Sequence, residues 1–87
     1  MSPGYLDKVN EVQEKMKATW KRGHARVPLS DWRTRADGIE AEADALISMA
    51  QAQDLRRDMA YLGEAVQRSA AALDGYIQDE IDRARGK

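Results

Sequence analysis

Apolar residues recur at Leu6, Val9, Val12, Met16 and Trp20, at spacings of three and four that place them on one stripe of a helix. The pattern predicts a first helix over about residues 5–22. Lys21 and Arg22 in its last turn suit the negative end of the helix dipole, and Gly23 stands where a left-handed cap is wanted. Pro28 then forces Val27 towards an extended backbone, and Ser30 or Asp31 is placed to cap a new helix.

In that second helix, expected over about residues 31–51, Trp32, Ile39 and Leu46 lie seven apart, and Ala36, Ala43 and Ala50 each follow one of them by four. Large and small residues alternate along one seam, which lets a neighbouring helix approach closely. Gly38 inside it costs roughly 1 kcal/mol relative to Ala, and marks either a tight crossing or a local kink.

A third stripe runs through Leu55, Met59, Leu62, Val66, Ala70, Leu73, Ile77, Ile81 and Ala84. Between it and the second stands Ala50-Gln51-Ala52-Gln53-Asp54, without Gly or Pro, so propensity alone would allow one continuous helix through residues 51–54. Angular phase argues for a turn. At about 100° per residue the stripe through Trp32, Ile39 and Leu46 points about 150° away from that through Leu55, Leu62 and Val66, and one straight helix would carry apolar faces on nearly opposite sides. A turn with Asp54 as N-cap removes the conflict, although Arg56 and Arg57 in the first turn would oppose the dipole.

The expected fold is therefore all-α: a single domain over residues 1–87, a three-helix bundle with helices at about 5–22, 31–51 and 54–84. Helices 2 and 3 form an antiparallel hairpin. The third helix, ~45 Å long against ~27 Å for the first, is overlong. Its end, with Tyr76, Ile77 and Ile81, is expected to stand exposed and to offer self-association, unless the loop 23–30 folds back over it.

Composition agrees with helices. The chain has 87 residues, 43% of them hydrophobic, with no Phe and no Cys. A chain this short buries only about 60% of its unfolded surface, so the core must be small. The absence of Cys excludes a disulfide framework, a thiolate metal site and a Cys nucleophile. No apolar run resembles a signal peptide or approaches the ~18 residues of a membrane span, so the expectation is a cytoplasmic protein without a membrane partner. A net charge of −1 conceals an asymmetry. Residues 1–35 hold eight Lys/Arg against four Asp/Glu, and residues 36–87 six against eleven.

Catalysis finds little support. The one His, His24, could be grouped with Ser30 and Asp31, but all three crowd into a short loop with no scaffold for an oxyanion hole. Acidic pairs such as Glu40 and Asp44 share a helix face without the Glu-x-x-His motif of a di-metal bundle, and there is no phosphate loop, EF-hand or zinc spacing. The expectation is no enzyme, no cofactor and no metal.

The stretch WKRGHARVPLSDW, residues 20–32, sets two tryptophans around a basic segment. Lys15, Lys21, Arg22, His24, Arg26, Arg33 and Arg35, with Lys17 beside them, crowd the first corner of the chain, and Arg near Trp suits both protein interfaces and nucleic acids. Lys8, Lys15 and Arg22, seven apart, would form a cationic line on helix 1. Trp20 and Trp32 fall on the core stripes of their helices and are expected to pack together under the loop. The leading expectation is a non-enzymatic interaction module, an adaptor or an inhibitor of the kind phages and mobile elements encode, docking on a larger protein or ribonucleoprotein complex. Direct nucleic-acid binding through the same cations is a second reading, and a homodimer through the end of helix 3 a third.

Overall fold

The computed structural model describes residues 4–23 and 27–86, without the side chain of Arg22. Three helices follow one another: α1 Tyr5–Gly23, α2 Leu29–Ala52 and α3 Arg57–Arg85. The protein is an all-α three-helix bundle in which α2 and α3 form the antiparallel hairpin that the apolar phase requires. It measures 48 × 22 × 15 Å. No described helix is long and apolar enough to cross a membrane.

Two of the expected caps are corrected. α2 begins at Leu29, with Pro28 as N-cap and no side-chain cap; the Trp32 N–H donates to the Pro28 carbonyl at 3.1 Å. Proline has its backbone angle already set and no N–H to leave unpaired, so it opens the helix before Ser30 or Asp31 is reached. Asp31 lies in the first turn, where a carboxylate suits the dipole. Asp54 is likewise not an N-cap. It takes the left-handed conformation, φ 49°, as the residue that ends α2. The Leu55 N–H donates to the Ala50 carbonyl at 3.1 Å and the Asp54 N–H to Gln51 at 3.2 Å. This is the hydrogen-bond pair of a Schellman motif, with Asp where Gly is usual. Leu55 packs back on the core around Met49 and Ala50, the apolar contact that accompanies the motif. The Arg56 and Arg57 conflict is eased at Asp58, whose Oδ1 accepts the Met59 N–H at 3.0 Å.

α2 is the central element. All six residues of its alternating seam, Trp32, Ala36, Ile39, Ala43, Leu46 and Ala50, are buried. One cluster joins the last four to Tyr5, Val9 and Val12 of α1 and to Val66 and Ala70 of α3; a second joins Trp32 and Ala36 to Leu73 and Ile77. α1 and α3 both pack on α2 and run parallel, touching each other least.

The outer stripes shift by one residue from expectation. Tyr5 and Thr19 are buried, while Leu6 and Trp20 are exposed. Val9, Val12 and Met16 can be extended either way at helical spacing. The regular 4-3-4-3 series Tyr5, Val9, Val12, Met16, Thr19 keeps a straighter line than 3-3-4-4, and it is the one buried. In α3, Gly63 is buried where Leu62 was expected. A Cβ at Gly63 would collide with the Tyr5 hydroxyl and lie 3.3 Å from Leu46 Cβ, so a missing side chain allows the close approach. Gly38 is no tight crossing: nothing lies within 4 Å of an added Cβ there, and α2 runs through it unbroken.

The expected exposed end of α3 is also corrected. Ile77 is fully buried, and Tyr76 and Ile81 are half-buried against Trp32 and Leu29. The early start of α2 supplies the reason, since Leu29 carries it alongside the last turns of α3.

Candidate interaction surface

The predicted basic corner divides once its partners are placed. Lys15 Nζ lies 2.8 and 3.0 Å from the two Glu42 oxygens of α2, and 3.4 Å from Glu11. Lys8 reaches Glu11 at 3.4 Å and Glu42 at 3.6 Å. The hydrogen bond that Lys15 donates to Glu42 raises the Lys15 pKa, while Lys15 and then Lys8 lower that of Glu11. The cationic line of helix 1 is thus, in its described part, an ion network joining α1 to α2. Arg33 Nε lies 3.1 Å from Asp37 and 3.6 Å from Asp74. Arg35 is half-buried, its Nη1 enclosed without a hydrogen-bond partner among the described residues. It lines an open groove of about 400 Å³ between α1 and α2 with Lys15, Thr19, Gly38 and Glu42. Lys21 is exposed. The Arg22 side chain, His24 and Arg26 lie outside the described residues.

Trp20 and Trp32 do not pack face to face. Tyr76 stands between them, its ring 4.8 Å from Trp20 and 5.8 Å from Trp32, centre to centre. Trp32 is buried and Trp20 is 44% exposed.

A second polar constellation lies between α2 and α3. Asp37, Glu40 and Asp74 bring carboxylate oxygens within 4.8 Å of one another, a spacing at which a cation could be held. Arg33 already supplies positive charge there. Asp74 holds the Glu40 carboxyl above its ordinary range, first by accepting a hydrogen bond from the protonated form; burial and the charges of Asp74, Asp44 and Asp37 add to it. Sequence reading paired Glu40 with Asp44 and missed Asp74, because the hairpin register that unites Glu40 and Asp74 is a tertiary fact.

The surface that sequence reading missed altogether is the seam between α1 and α3. Leu6 is 48% exposed and Leu62 38%, and with Trp20 they fall by seven-residue register on the facing sides of α1 and α3, which close together where Tyr5 meets Gly63 and leave a gap towards Trp20. At the Trp20 end the gap is an apolar groove of about 330 Å³ lined by Met16, Lys17, Trp20, Lys21, Ser69 and Leu73. The signal was present as two seven-residue series, Leu6-Gln13-Trp20 and Leu62-Ser69-Tyr76, lying beside the core stripes. The remaining exposed large apolar side chain among the described residues, Tyr61, sits under the Arg68 guanidinium at 5.4 Å.

Comparison with protein families, with curated proteins and with solved structures finds no significant match to this chain.

Proposed function

We propose that the chain is a non-enzymatic protein-interaction module, an adaptor or inhibitor that docks on a larger protein or ribonucleoprotein assembly through the seam between α1 and α3 and the Trp20 corner at its end. One observation carries the reading: an apolar groove lined by Met16, Trp20 and Leu73 opens between α1 and α3, and Leu6 and Leu62 stand exposed on the same facing sides by their seven-residue register. Scattered single apolar residues are normal on a surface, whereas an open apolar groove costs hydration free energy that a partner would recover. Action in the cytoplasm belongs to this reading, since a chain without Cys owes nothing to an oxidising compartment.

Direct nucleic-acid binding draws less support, because Lys8, Lys15 and Arg33 are engaged with Glu42, Glu11, Asp37 and Asp74. A homodimer through the end of α3 loses Ile77, which lies in the core.

The test is a pull-down from lysate of the source cells with tagged wild type and Leu62→Asp, each with and without nuclease. The reading expects one protein retained by wild type in both conditions and lost with Leu62→Asp. Retention that survives the substitution, or that vanishes on nuclease treatment, contradicts it.

A further inference from the structure

Resting on that reading, we infer that the occupant of the α1–α3 seam is an amphipathic helix with acidic flanks, which would lie along the two helices as the fourth member of a bundle. Shape is the first argument. Two parallel helices packed on α2 open an apolar groove floored by Met16, Trp20 and Leu73, and Leu6 and Leu62 stand exposed farther along the same facing sides. The ridges of a third helix fit such a trough, and anchors at every third and fourth position would meet Leu6, Leu62, Met16 and Leu73 in turn.

Charge is the second argument, and it selects the flanks. The described residues lining the groove include Lys17 and Lys21 and no carboxylate. Glu14 reaches Lys17 at 3.4 Å from the preceding turn, but these side chains are 71% and 73% exposed, so solvent screens the pair and a partner's carboxylate can replace it. Lys21 is likewise exposed. The Trp20 end of the seam thus combines an apolar floor with a cationic edge, and the complement is an apolar stripe bordered by Glu or Asp.

The probe is a pair of fluorescein-labelled peptides of about eighteen residues, ~27 Å as helices. Both carry Leu at every third and fourth position; one has Glu flanking that stripe and the other Lys. Fluorescence anisotropy should show the Glu peptide binding wild type about tenfold more tightly than the Lys peptide, the size two exposed ion pairs supply. The preference should invert in Lys17→Glu/Lys21→Glu, and Leu62→Asp should weaken both peptides while its circular dichroism stays native. Binding should also shift tryptophan emission to the blue as Trp20 is covered. Equal affinity for both peptides, or no binding of either, overturns the acidic-helix proposal. So does a concentration-dependent dimer in sedimentation equilibrium that Leu62→Asp dissociates, since a second copy would then be the occupant. If the pull-down recovers a seam-dependent protein while the peptides show no charge preference, the inference fails and the docking function stands; if no partner depends on Leu62, the function itself fails.

Discussion

The phenol of Tyr5, the first residue of α1, rests on the bare backbone of Gly63 in α3, and its hydroxyl donates to the Ala60 carbonyl at 3.5 Å. The contact ties the start of α1 to the bundle although these helices otherwise touch little. It also divides the glycines within the helices into two kinds. Gly63→Ala gains helix propensity of about 1 kcal/mol but must displace a buried ring, and overpacking of this sort costs about 1–3 kcal/mol. Gly38→Ala and Gly75→Ala meet nothing within 4 Å and collect the propensity gain alone. Urea titration should therefore rank Gly38→Ala and Gly75→Ala above wild type and Gly63→Ala below it. Gly63→Ala matching the other two would refute the Tyr5 contact.

Asp54 supplies a second stability test. It holds φ 49°, which Asp tolerates better than most residues but Gly tolerates at no cost. Asp54→Gly should stabilise the hairpin by about 0.5–1 kcal/mol in thermal unfolding. Had Asp54 been the N-cap of α3, the same change would cost stability.

The carboxylates between α2 and α3 set a pH dependence. Glu40, faced by Asp74 from α3 and by Asp37, Asp44 and Arg33 along α2, has its pKa raised from 4.5. A raised carboxylate contributes stability that is complete below its unfolded value and is lost as pH rises through its folded value. Glu11 runs the other way: its lowered pKa contributes above its unfolded value and fades as pH falls through the folded one. Glu40→Gln should raise the urea midpoint at pH 7 and leave it unchanged at a pH well below 4.5. An unchanged midpoint at pH 7 would show that the carboxylates do not couple.

Much of this architecture was legible in the amino-acid pattern, and the failures have physical causes. The α2 seam is unambiguous because large and small residues alternate over three heptads, leaving one register. The stripe of α1 is degenerate, since both Leu6 and Tyr5 stand at helical spacing from Val9, and the choice is made by Gly63 fifty-eight positions away. Pairing by charge type failed similarly. Lys15 and Arg33 read as a contact surface because Glu42 and Asp74 come to them only through tertiary folding. Ile77 read as exposed because helix lengths were compared without the proline start of α2.

Ile77 gives a direct check of that correction. Ile77→Ala, at a side chain with no exposed surface, should cost about 2–5 kcal/mol as the cavity opens beside Trp32 and Leu73. A residue serving only a dimer interface would instead leave monomer stability near that of wild type and change the mass in solution.

The central claim, that the α1–α3 seam is where a partner docks, is tested most directly by placing a photo-crosslinking residue at Gln13, between Leu6 and Trp20 in the seven-residue series, and separately at exposed Asp44 on α2. With the seam as the docking face, irradiation in the source cells yields a discrete adduct with one protein from position 13 and none from position 44. Adducts from position 44 with none from position 13 would contradict it.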